Sequence, residues 1–211
     1  MASVTKFTDA SVSVNLRHVE REIANPSNQD IDRTKSSENY SLISHGERTT
    51  YQYYRERLEQ LHHHNRADVK TMCGWVVTAP HGLTPEECRK FFTLTNDFLQ
   101  ERYGANNGIS SIVHMDESGQ PHLHYYFIPV VPDTKHGGEK VCCCEVLNRA
   151  ELQQFHPALQ QYLADHGCNA KVMSGVTKAN GGNRTVEQLK GEREIQLTRS
   201  RERQREIEWE V

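Results

Sequence analysis

Two runs rich in β-branched and aromatic residues, "ISSIVHM" (109–115) and "HLHYYFIPVV" (122–131), joined by "DESGQP", constrain this 211-residue chain more than any other feature. Apolar runs of this composition, separated by a few turn-forming residues, pair as an antiparallel β-hairpin. Side chains alternate faces along a strand, so His122 and His124 leave from one face while Leu123 turns toward a core on the other. His114 stands at the end of the partner strand, across the turn. Three neutral imidazoles on one hairpin hold a cation while leaving coordination positions open, which suits a catalytic site better than a closed structural one. Asp116 and Glu117 lie close enough to supply a fourth ligand or to orient the others. A lone His-x-His pair would say little in a chain with 12 histidines; the order His-x-Asp-Glu, turn, Pro-His-hydrophobic-His says much more.

The rest of the chain reads as elements around that hairpin. "SVSVNLRHVEREI" (11–23) predicts a helix from Ser13, with Leu16, Val19 and Ile23 on one face. Residues 24–39 have loop chemistry, 40–44 read as a short strand, 49–64 as a helix, and 73–80 as a buried strand closed by Pro80. The clearest helix is 84–104, with Thr84 as N-cap, Pro85 behind it, Glu87 completing a capping box and Gly104 as the stop. A helix over 148–167 contains Pro157, a further strand is expected at 168–173, and 184–211 reads as a charged, exposed helix. With a first strand before residue 10, the order predicts an α+β fold: a mainly antiparallel central sheet flanked by helices on one or both sides. The expected organisation is one domain over 1–183 and a charged helical extension over 184–211, cut from a longer chain.

Charge narrows the function. The formal net charge is −3, so no broad basic field advertises a polyanion partner; such a partner would be gripped by placed Arg and Lys or through a bound cation. No apolar run is long enough for a secretory signal or a membrane span. Six cysteines at irregular spacings, three of them consecutive at Cys142–Cys144, argue against a disulfide framework and for a reducing, cytoplasmic setting. As neighbours on a strand, Cys142, Cys143 and Cys144 would alternate faces and serve as ordinary small residues. His62, His63 and His64 read as imidazoles favoured at a helix C-terminus.

The stretch "VHMDESGQPHLH" resembles the metal motif of relaxases, DNA-nicking members of the histidine–hydrophobic–histidine endonuclease superfamily. It is most similar to the MobV (Mob/Pre) branch of plasmid mobilization and recombination proteins. "HVER" (18–21) resembles that family's N-terminal His-x-x-Arg motif and "SNQDIDRTKSSENYSL" (27–42) its second motif; "FFTLTNDFLQERYGANNGISSIVHMDE" and "LADHG" follow its pattern too. "VCCCEV" (141–146) and the length of the 131–142 loop depart from it.

The resemblance implies a relaxase, palm-like sandwich and metal-dependent, site- and strand-specific DNA nicking and joining at a transfer origin. A covalent 5′-phosphate–protein adduct would start conjugative mobilization in a bacterial cytoplasm. It implies Mn²⁺ or Mg²⁺ at His114, His122 and His124, with Zn²⁺ or Ni²⁺ acceptable to the same imidazoles, and a catalytic role for Glu117. Relaxases of this branch use a histidine where His18 stands, giving a phosphoramidate; a neutral imidazole is nucleophilic near pH 7 without a strong base. Arg21, at i+3, would share a helical face with His18 and hold the phosphate. Tyr40 is the alternative nucleophile, followed by Tyr51, Tyr53 and Tyr54. Arg21, Arg66, Arg184 and Lys190 are the expected DNA contacts. Expected partners are single-stranded or hairpin origin DNA, the transfer machinery of a helper element, and a second copy joined through a C-terminal region. Two competing functions remain: a rolling-circle replication initiator, for which Tyr162 would be the helical tyrosine, and a non-catalytic origin-binding module.

Overall fold

In the computed structural model, which describes residues 2–26, 28, 30–173 and 191, the histidine hairpin forms the middle of a five-stranded sheet. Strand β1 is Ala2–Thr8, β2 Tyr40–Ser41, β3 Lys70–Thr78, β4 Gly108–His114 and β5 His122–Phe127. Their order is β1-β3-β5-β4-β2 and every pair is antiparallel. Two short strands, β6 (Val130–Pro132) and β7 (Glu139–Val141), form a separate ribbon. The helices are α1 (Asp9–Val19), α2 (Thr50–Glu59), α3 (Pro85–Tyr103), α4 (Cys143–Val146) and α5 (Arg149–Asp165). The expected α+β class and its flanked antiparallel sheet are what the chain adopts.

Both faces of the sheet are covered, and strand alternation sorts them. Leu123, Tyr125 and Phe127 belong to the larger core with Trp75 and with Phe91, Leu99 and Phe155 of α3 and α5. Tyr126 belongs to the smaller core with Val12, Leu16 and Val19 of α1 and Tyr54 and Leu58 of α2. In the larger core the Trp75 and Phe155 rings stack 3.5 Å apart, and the Trp75 indole N–H donates to the Tyr103 hydroxyl at 2.9 Å. On the other face, Gly74 lies opposite Tyr126. A Cβ at Gly74 would stand 2.2 Å from the Tyr126 ring, so glycine lets that ring lie across the strand.

Several boundaries move from their sequence reading. α1 begins at Asp9 and ends at Val19, short of Ile23, and Arg21 beyond it has φ 61, in the left-handed region that stops a helix. α2 ends at Glu59, so His62–His64 lie beyond it. The run 122–131 breaks between β5 and β6, where the Ile128 N–H donates to the Asn107 carbonyl and Pro129 has none to give. Residues 168–173 form no strand: the Gln160 side chain bonds the Ala170 carbonyl (3.0 Å) and the Val172 N–H (2.9 Å), doing a neighbouring strand's work. Cys143 and Cys144 open α4 instead of lying in a strand, and Cys143 Sγ sits 3.4 Å from Cys73 Sγ. The helix expected over 184–211, with Arg184 and Lys190, and the boundary at 183/184 lie outside the described residues. No helix among the described residues is long and apolar enough to cross a membrane.

Candidate active site

The hairpin register sets His114 opposite His122 and Ile112 opposite His124, on the sheet face that carries α1. The ring centroids of the three histidines lie 4.7–5.3 Å apart, and one ligand atom from each falls within 4.8 Å of the others. Carbonyl partners fix two tautomers. His114 Nε2–H donates to the Val19 carbonyl at 2.8 Å, leaving Nδ1 a lone pair; His122 Nδ1–H donates to the Gln120 carbonyl at 3.1 Å, leaving Nε2 one. Burial, then the charge of Arg21, pushes His114 down to about 4, and burial with the neighbouring imidazoles holds His124 well below the usual histidine range. Both are therefore neutral near pH 7.

His114 Nδ1 and His124 Nδ1 are buried without a hydrogen-bond partner among the described residues. Glu117 Oε1 lies 3.9 Å from His114 Nδ1 and 3.8 Å from His122 Nε2, too far to hydrogen-bond. Two ligand bonds of about 2.0–2.2 Å would span such a gap. Orphaned, neutral nitrogens with a carboxylate at that distance fit a divalent cation.

Behind Glu117 lies a buried ion pair. The Asp116 side chain is 0% exposed and Arg21's is 8% exposed. Arg21 Nε donates to Asp116 Oδ2 (2.9 Å); its Nη2 donates to Asp116 Oδ1 (2.6 Å) and to Glu117 Oε1 (2.9 Å). The Ser36 hydroxyl donates to Asp116 Oδ2 at 2.7 Å. Burial raises the Asp116 carboxyl, but the Arg21 guanidinium and the Ser36 hydroxyl outweigh it and hold the group far below the usual range. The segment resembling a second motif wraps this corner: Ile31 bridges to Glu117, and Asn39 Oδ1 accepts the Met115 N–H at 2.7 Å. Arg33 reaches back to the carbonyls of Arg21, Ile23 and Ala24. Sequence reasoning placed the segment near the site without naming Ser36 or Arg33. Their one local signal was the motif, since their partners lie 80 and 9–12 residues away.

His18 is half-buried on the last turn of α1, one residue before the carbonyl that His114 holds. Arg21 does not share a helical face with it: the helix has ended, and the left-handed turn sends the guanidinium to Asp116 and Glu117. Tyr40 borders a cleft with Arg21, Ser36 and Asn39. Its strand partner, however, is Val113, a residue of the α3/α5 core, and the Arg89 guanidinium sits 4.5 Å over its ring. The Tyr54 hydroxyl is held between Asp9 (2.8 Å) and Thr71 (2.7 Å), and the Tyr53 hydroxyl donates to the Asn106 carbonyl. Tyr162 packs against Phe98 and bonds Glu101 on α3. Arg66 is exposed and forked onto Asp68.

The family model of plasmid recombination enzymes (Mob_Pre) matches residues 1–190. Among curated relatives, a plasmid recombination enzyme of Bacillus thuringiensis is 35% identical over 138 residues, covering 62% of this chain and 30% of the relative. A plasmid recombination enzyme type 3 of Staphylococcus aureus is 29% identical over 158 residues, covering 72% of this chain and 37% of the relative. The chain thus spans about a third of the length of these relatives. Among solved structures, the Mn-bound MobM relaxase domain with plasmid pMV158 oriT DNA superposes with a TM-score of 0.71 at 25% identity, covering 90% of this chain and 96% of that one.

Proposed function

Because the chain belongs to the plasmid recombination enzyme family, we propose that its histidine hairpin nicks and rejoins one strand of transfer-origin DNA, as a relaxase does. One observation carries the reading: His114, whose Nδ1 is orphaned, holds through its Nε2–H the Val19 carbonyl at the end of α1, one residue past His18. His114, His122 and His124 would hold a divalent cation of the Mn²⁺ or Mg²⁺ class, with Glu117 beside them. That ion would neutralise and orient the scissile phosphate. The matching MobM relaxase domain, described as Mn-bound and oriT-bound, supports this reading.

His18 then attacks phosphorus through a ring lone pair. The new P–N bond forms as the P–O3′ bond breaks; the 3′ oxygen leaves and takes up a proton, and the imidazole sheds one from its other nitrogen. The adduct conserves the phosphodiester's energy, so a 3′-OH can reverse the step. Arg21 acts as a positioning residue, holding Glu117 against the histidines with Asp116 as its anchor. Arg66, Arg184 and Lys190 are proposed to contact the DNA backbone. A relaxase domain over 1–183, delivery to a helper element's transfer machinery, and pairing of two copies through a C-terminal region complete the proposal.

The test is incubation with a supercoiled origin plasmid and Mn²⁺, followed by mass mapping of the attached residue. Adduct on His18 is the expected outcome. Adduct on Tyr40 or Tyr162 would overturn the nucleophile, the latter favouring a replication initiator. Binding without nicking in any divalent ion would favour the origin-binding module.

A further inference from the structure

The chain carries a second cluster of ligating side chains. After α2 ends, His62 pairs with the β6–β7 ribbon: its N–H donates to the Glu139 carbonyl and its carbonyl accepts the Val141 N–H, both at 3.0 Å. In the ribbon's turn stands Asp133, its side chain 3% exposed. Its Oδ1 accepts the N–H groups of Lys135 (3.1 Å) and His136 (3.2 Å), which fixes the carboxylate's orientation. Its Oδ2 faces two imidazoles at once, His62 Nδ1 and His136 Nδ1, each at 2.9 Å. The two rings lie 4.5 Å apart, and Cys142 lines the same cavity. Lys140, which also lines it, bonds Glu145 at 2.9 Å.

We propose that His62, Asp133 and His136 form a second divalent-cation site, distinct from the histidine hairpin, which ties the segment after α2 to the β6–β7 ribbon. One donor atom from each of the three already lies within 4.8 Å of the others, and both Nδ1 atoms stand 2.9 Å from Oδ2. A buried carboxylate oxygen oriented by two backbone N–H groups, with two imidazoles aimed at it, is a built ligand set. Without an ion, both Nδ1–H groups donate to Oδ2. On binding, each Nδ1 proton is lost to solvent and Nε2 takes one up, so the rings stay neutral and both Nδ1 lone pairs meet the cation. The rings are 43% and 48% exposed, so this exchange needs no opening of the fold. Two imidazoles and one carboxylate favour borderline ions such as Zn²⁺, Ni²⁺ or Co²⁺ over Mg²⁺. The site stands independently of the nicking reading.

Equilibrium dialysis of the 211-residue chain against Zn²⁺ or Ni²⁺, with elemental analysis, tests the proposal. The wild type is expected to bind one equivalent more than the His62→Gln/His136→Gln variant. The Asp133→Asn variant keeps an acceptor for the turn's N–H groups and is expected to bind this ion at least tenfold more weakly. His122→Ala/His124→Ala should keep the second equivalent and lose the hairpin's. Equal stoichiometry in the wild type and in the His62/His136 variant would overturn the proposal, as would unchanged affinity in Asp133→Asn. If the wild type binds one equivalent and the His62/His136 variant none, this site stands and the hairpin's cation falls.

Discussion

Asp116→Asn separates positioning from chemistry at the hairpin. Asp116 is fully buried and both its oxygens are engaged: Oδ1 by Arg21 at 2.6 Å, and Oδ2 by Arg21 at 2.9 Å and Ser36 at 2.7 Å. Asparagine keeps the shape and one acceptor but removes the charge, and turns an N–H₂ toward a donor. Breaking a buried ion pair by removing one partner costs roughly 3–5 kcal/mol, and the surviving acceptor puts this change near the lower end. In a domain of this size about 3 kcal/mol lowers Tm by roughly 6–12 °C. Arg21, released from Asp116, no longer fixes Glu117, and Mn²⁺ affinity should fall about 10–100-fold, the usual effect of losing a group that orients a ligand. Chemical denaturation gives the first quantity and Mn²⁺ titration of the folded variant the second. Glu117→Gln is the control: its side chain is 19% exposed, so it should lose Mn²⁺ affinity with a smaller stability loss. If Asp116→Asn loses stability but binds Mn²⁺ as the wild type does, the Arg21 bridge only holds the fold together. If stability does not change, the buried-pair argument itself fails.

Other outcomes follow from the same geometry. His18→Ala should abolish the covalent DNA adduct while origin binding survives on a mobility shift; Tyr40→Phe, altering a ring packed beneath Arg89, should leave adduct formation near wild type. His114 is depressed from 6.5 to about 4 by burial and by Arg21. The unfolded chain therefore binds more protons between those values, and stability should fall as pH drops from about 6.5 toward 4, by about 3 kcal/mol in total. Urea unfolding in chelator across that range measures this, and His114→Gln should flatten the slope. Gly74→Ala forces a Cβ to within 2.2 Å of the Tyr126 ring and should cost about 1–3 kcal/mol by overpacking. A double-mutant cycle with Tyr126→Ala should show that cost relieved.

What could be read from the sequence was what is local. The hairpin, its alternation and the His114–His122–His124 set depend on period-two patterning within twenty residues, from Gly108 to Phe127. The α3 capping box lies in four consecutive positions, and the structure shows both of its reciprocal bonds. What could not be read depends on distant partners. A helical Arg21 followed from continuing α1 through Ile23, but Asp116, 95 residues away, takes the guanidinium, and a left-handed turn delivers it. A strand at 168–173 followed from alternation that is real, since Cys168, Ala170 and Val172 are all buried. Its backbone partner proved to be the side chain of Gln160. His62 looked like the tail of α2 because nothing nearby reveals that Glu139 and Asp133 wait across the ribbon. The same alternation assigns the two faces different duties. Residues 123, 125 and 127 build the α3/α5 core, while 122 and 124 leave from the opposite face, the one that carries α1. A one-residue slip of β5 would bury the histidines in the larger core and turn Leu123 and Tyr125 toward His18. The register that stabilises the sheet is therefore also the one that assembles the site, so substitutions in the α3/α5 core that leave the fold intact should leave the geometry of the histidine cluster intact as well.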